Sequence, residues 1–213
     1  MGMDIFEDYR EFEDNAYKLK GKNRRKAYLT YAKKLENLLE ENPGSRDLNH
    51  LFGYCLYHML EWYEKDKIRI ERAFQRSLML DPGSYYSLEY LGYFYFDIAQ
   101  YQLPINSIDT LFGHEGRVHV PATRLFKLEG LRIAGQVRLD SLEGSQLRSE
   151  LAQLIESKNA LDDEDKEHYA IFEDFELEEL SSALKESRHA QDRGIMGMLG
   201  VLEAPLTSSS VAE

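Results

Sequence analysis

DPGSYYSLEYLGYFYFD, residues 81–97, packs seven aromatic side chains into seventeen positions. Thirty-nine residues earlier the chain reads NPGSRDLNHLFGYCLYH, residues 42–58. Superimposing Pro43 on Pro82 brings Gly44, Ser45, Gly53 and Tyr54 onto Gly83, Ser84, Gly92 and Tyr93. Large apolar residues follow the same offset: Phe52 with Leu91, Leu35 with Phe74, Leu39 with Leu78. Pro-Gly stops a helix, because proline has no N–H to donate and glycine tolerates the reversal. The serine after it is a natural N-cap. The pair therefore reads as one unit written twice: a helix, a stop, a cap and a second helix.

Outward from that pair, apolar residues recur at helical spacing along most of the chain. Ile5, Phe6, Tyr9, Phe12, Ala16 and Tyr17 predict a first helix over residues 4–19, broken near Gly21. Tyr28, Tyr31, Ala32, Leu35, Leu38 and Leu39 predict a second over 24–41. Helices are expected over 45–63, 67–80 and 84–100. Residues 103–120 read as an irregular connection with a short helix near 107–112. Beyond Pro121, which suits a first helical turn, helices are predicted over 122–139, 144–160 and 169–188. The fold class is all-α. The domain reading is repeats over 1–112, a C-terminal helical region over 113–193 packed on them, and a flexible or loosely docked tail over 194–213.

At this point the chain resembles the tetratricopeptide repeat (TPR). Leu88, Leu91-Gly92 and Tyr95 occupy that family's first-helix places; Phe74 and Ser77, before Pro82, occupy second-helix ones. About two degenerate units, residues 25–112, carry the likeness, with 39 residues per unit against 34 in the family; the extra five are expected in the turn at 61–67. The resemblance implies antiparallel helix-turn-helix pairs in a right-handed stack, completed by a C-terminal helical cap. It also implies a concave groove lined by first helices. Carried over position by position, the partner-binding residues are Asp47, His50, Tyr54, Tyr57 and His58 from one unit, and Tyr86, Glu89, Tyr93, Phe96 and Asp97 from the other. Leu88, Leu91, Phe94 and Tyr95 are expected to hold the stack, together with Tyr90.

The charge is uneven. Residues 1–139 hold 20 acids and 20 bases, whereas residues 140–213 hold 18 acids against 6 bases, so the net charge of −12 resides in the last third. A nucleic-acid binder would show a basic face, so that partner class is not expected. The basic cluster LKGKNRRK, residues 19–26, reads as the opening of a helix. Within YAIFEDFELEEL, residues 169–180, Glu173, Asp174, Glu176, Glu178 and Glu179 form a second, acidic candidate surface that would attract a basic partner.

No run is long and apolar enough for a membrane helix, and no secretory leader is visible, so a cytoplasmic location is expected. Cys55 is the only cysteine, which leaves no internal disulfide; in an apolar helical run it reads as buried packing, not as a nucleophile for His58. His114 and His119 lack further metal ligands. DDEDKE, residues 162–167, lacks the central glycine and terminal glutamate of a calcium loop. No cofactor, metal or catalytic residue is expected. The expected function is non-enzymatic binding of a protein partner, the chain serving as a bacterial immunity protein that neutralises a basic toxin. A chaperone or adaptor for a secreted effector is the alternative, and a metal-dependent hydrolase the remaining one.

Overall fold

Every described element is a helix, and the reasons are local. The computed structural model describes residues 5–59, 62–113, 120–161 and 175–204, and these form ten α-helices with no strand among the described residues. The chain divides into two units, residues 1–94 and 95–213.

The N-terminal unit contains α1 (Ile5–Ala16), α2 (Gly21–Glu41), α3 (Arg46–Tyr57), α4 (Glu64–Leu80) and most of α5 (Tyr85–Asp97). The first Pro-Gly-Ser stretch behaves as its chemistry requires. The helix stops, and Ser45 Oγ accepts from Leu48 N at 3.2 Å to satisfy one orphan donor of α3. In the second copy, Ser84 Oγ donates to Ser87 Oγ at 3.2 Å. Gly53 is needed for packing: a Cβ there would lie 2.9 Å from the Phe74 ring, so only glycine lets α3 and α4 approach this closely.

Aromatic residues carry this core. Phe12 of α1 stacks on Tyr31 of α2 at 4.2 Å and meets Tyr28 edge-on at 5.2 Å. Lys34 and the Tyr31 hydroxyl both bind Asp8, holding its carboxyl below the usual range. Between α2 and α4, Arg25 Nη2 pairs with Asp66 Oδ2 at 2.7 Å. Asp66 is completely buried, and the same oxygen also accepts from Tyr63 N at 3.0 Å at the start of α4. Helix α4 begins at Glu64, three residues before the expected start, because this contact organises its first turn.

The C-terminal unit contains the end of α5, then α6 (Gln102–Gly113), α7 (Ala122–Arg138), α8 (Gly144–Asn159), α9 (Phe175–Glu186) and α10 (Arg193–Glu203). Residues 102–113, expected to be mostly irregular, form a full helix: Pro104 falls in its first turn, where no N–H is required. Helix α7 is buried on almost every side, by Phe126, Leu128, Leu131, Ile133, Ala134 and Val137. That is the pattern of a central helix, and α6, α8 and α9 pack around it. Gly135 lets α6 close in, since a Cβ would sit 3.3 Å from the Tyr101 carbonyl and 3.2 Å from Ile105.

Residues 193–203, of which 194 onwards are expected in a flexible or loosely docked tail, form α10 packed on α8. Ile195, Leu199 and Leu202 are buried, and Asp192 caps the helix by accepting from Gly194 N and Ile195 N. Its other end is held by Lys158, which is buried and donates from Nζ to the carbonyls of Val201, Leu202 and Ala204. A cation on the last carbonyls of a helix satisfies orphan acceptors and opposes the dipole. The contact division between the two units falls at 94/95.

Candidate interaction face of the N-terminal unit

On one side of the N-terminal unit, α1, α3 and α5 bring their rings into a continuous series. Tyr9 of α1 meets Tyr54 of α3 edge-on at 5.5 Å, and Tyr54 meets Tyr90 of α5 edge-on at 4.6 Å. His50 lies between Tyr54 and Tyr86, at 6.0 and 6.1 Å, and its Nδ1 is 3.1 Å from Ser87 Oγ. One and two turns on, His58 contacts Tyr54 at 4.2 Å and Tyr57 at 5.4 Å. Trp62 extends the series: its ring lies 5.2 Å from Tyr57, and its N–H donates to the Tyr57 carbonyl at 2.9 Å.

These rings are neither core nor free surface. Tyr9 is buried, but His50, Tyr54, Tyr57, His58, Trp62 and Tyr90 are half-buried and Tyr86 is 46% exposed. Burial depresses the pKa of both His50 and His58 to about 4, so both imidazoles are neutral at pH 7. His58 Nε2 is shielded from solvent and has no hydrogen-bond partner among the described residues. The polar end is formed by Glu13 of α1, whose carboxyl burial raises in pKa while the Tyr54 and Tyr9 hydroxyls oppose the rise. Beside it, Arg24 Nε donates to the His58 carbonyl at 3.2 Å, with its guanidinium over the Tyr17 and Tyr28 rings.

The structure brings His50, Tyr54, Tyr57, His58 and Tyr86 together, all named from the sequence. Asp47 is near them but held in an ion pair with Arg46, which also binds Asp81 at 2.8 Å. Glu89 and Tyr93 require correction: both are buried, and the Tyr93 hydroxyl donates to Glu89 Oε1 at 2.7 Å, so neither offers contact area to a partner. Phe96 is likewise buried, against Tyr101 at 4.9 Å, and it and the exposed Asp97 belong to the C-terminal unit.

Tyr90 was expected among the stack-holding residues and instead occupies the middle of the face. Leu88, Leu91, Phe94 and Tyr95 are buried as expected. Glu13, Arg24 and Trp62 were missed. Ring spacing could have found Tyr90, since it lies one turn from Tyr86 on α5.

The second candidate surface shrinks. Glu173 and Asp174 lie outside the described residues. Glu176 is buried, Glu179 is half-buried with its pKa raised by burial and 3.9 Å from Arg138, and Glu178 alone of the five is seen exposed.

Cys55 is fully buried and donates from Sγ to the Tyr28 carbonyl at 3.4 Å; burial pushes its thiol pKa up, away from nucleophilic use. His114, His119 and residues 162–167 lie outside the described residues. Among those described, no group of three His, Cys, Asp or Glu side chains is placed to hold a metal ion, and no helix is long and apolar enough to cross a membrane. No protein-family model, curated protein or solved structure matches the chain.

Proposed function

We propose that this chain is a non-enzymatic protein-interaction module of TPR-like design, which holds a segment of a protein partner on the α1/α3/α5 face. One observation carries the reading: His50, Tyr54, Tyr57, His58, Trp62 and Tyr90 form a continuous half-buried ring surface edged by the exposed Tyr86. Tyrosine and tryptophan supply large contact area with few rotors and a polar tip, which makes them common anchors in interfaces. A surface of this kind binds by shape and dispersion, with Glu13 and Arg24 fixing polar register at one end. The close helix approach at Gly53 supports the TPR-like reading, because that family uses glycine for the same purpose.

The acidic excess of residues 140–213 favours a basic partner, as a nucleic-acid-attacking toxin would be, and within this reading the protein acts as its immunity protein. The test is affinity capture with the wild-type chain and with Tyr54→Ala/Tyr90→Ala, followed by calorimetry on each purified partner. A partner whose binding weakens at least roughly tenfold in the double variant supports the face as the site. A partner bound equally well by both chains places the site elsewhere.

A further inference from the structure

From Asn15 to Leu35 the chain holds eight Lys and Arg and no Asp or Glu. Most of that run is the first half of α2, and its outer side forms one wall of a groove of about 650 Å³. Lys22, Arg25, Lys26 and Lys33 line it, with Leu29 between them and Tyr63 opposite. No carboxylate is among the described lining residues. Arg25 is anchored by Asp66, and its guanidinium lies 4.5 Å from the centre of the Tyr63 ring, so this part of the groove is rigid. Lys33 is 3.7 Å from Glu36, a loose surface pair. Lys22 and Lys26 form no ion pair among the described residues.

This arrangement opposes the helix that carries it. The first turn of α2 contains no acid, and Lys20 at its N-cap makes no side-chain cap. Cations beside the positive end of a helix dipole are unfavourable. Lys22 and Lys26, four residues apart, also repel one another on the same face. An anion seated in the groove would reverse both penalties. The lysine stripe from Lys22 to Lys33 spans about 16 Å along the axis, longer than a single phosphate group needs. A groove of this volume is the size of a small-molecule site.

We propose that the groove between α2 and Tyr63 binds a small ligand carrying several phosphate groups. Lys22, Lys26 and Lys33 neutralise it, and Arg25 holds the position of the wall. The phosphate chain is the shared chemistry, and its source is either a free polyphosphate or a nucleotide.

The test is calorimetric titration of the full chain with inorganic triphosphate and, separately, with adenosine triphosphate, at low salt and with sodium sulfate of equal ionic strength as control. Saturable one-site binding is expected for at least one ligand. Lys22→Ala/Lys26→Ala should weaken it by roughly tenfold or more, since charge-assisted contacts are lost. Lys185→Ala, on α9, should leave it unchanged. Equal affinities assign the site to the phosphate chain alone, and tighter nucleotide binding adds a contact of the nucleoside with the Tyr63 wall. The denaturation midpoint of the double variant should be unchanged or higher, showing that it folds. Absence of saturable binding to both ligands overturns the proposal, as does binding matched by sulfate or unaffected in the double variant.

Discussion

The two units bury themselves with different chemistry. The N-terminal unit packs Tyr9, Tyr28, Tyr31, Phe52 and Phe74, whereas α7 in the C-terminal unit buries mainly aliphatic side chains, Leu128, Leu131, Ile133, Ala134 and Val137. Aliphatic side chains can be sealed completely at no polar cost. A tyrosine adds a hydroxyl whose burial is costly unless it is hydrogen-bonded. Two cations, one partly and one fully buried, also differ. Arg25 is matched by the carboxylate of Asp66, whereas Lys158 is matched by three backbone carbonyls.

The largest effect should come from the packing around Gly53. Phe74→Ala removes a fully buried ring and is expected to destabilise by about 4 kcal/mol in chemical denaturation. A loss under about 1 kcal/mol would mean the aromatic core is looser than its geometry implies. Next, Arg25→Ala strands the Asp66 carboxylate in the core and should cost about 3 kcal/mol. Lys158→Ala leaves the α10 carbonyls without their donor and should cost about 2 kcal/mol. Hydrogen exchange of the variant should rise chiefly in residues 193–204; an even rise across both units would contradict a local role.

A further effect is a pH dependence contributed by the two histidines of the N-terminal unit. His50 and His58 titrate near 4 when folded and near 6.5 when unfolded. The unfolded chain therefore takes up more protons between these values. Stability is fully present above about pH 6.5 and is lost as pH falls towards 4, by on the order of 2 kcal/mol per imidazole. Glu13 acts in the opposite sense, because its raised pKa favours the folded state once protonated. Two imidazoles against one carboxyl should leave a net loss on acidification from pH 7 to 4.5. His50→Gln/His58→Gln should flatten the stability profile over that window; an unchanged slope would show that other groups control it.

The helices were legible because their apolar period and Pro-Gly stops are local signals. Exposure was not. Offset by 39 residues, Tyr54 and Tyr93 are equivalent in sequence, yet Tyr54 is half-buried and Tyr93 is buried in a hydrogen bond to Glu89. The repeat preserves the stop and the helix after it, but not which side of that helix is covered. That depends on tertiary neighbours, which no local pattern encodes. The start of α6, before the short helix expected near 107–112, was missed for a related reason: Pro104 reads as a breaker until the helix start is known to be Gln102. Glu13 and Arg24 were invisible as site residues because they come from α1 and α2, outside the repeated stretch.

Read as DPGSYYSLEYLGYFYFD alone, the second copy offers seven rings without saying which are available. Tyr93, Phe94, Tyr95 and Phe96 are buried, whereas Tyr85 and Tyr90 are half-buried and Tyr86 is exposed. The decisive measurement is the affinity of a captured partner for the wild-type chain and for Tyr54→Ala/Tyr90→Ala, with the folding stability of both determined alongside. The account predicts at least a roughly tenfold loss of affinity in a variant that remains folded. Equal affinity in two folded chains would contradict it.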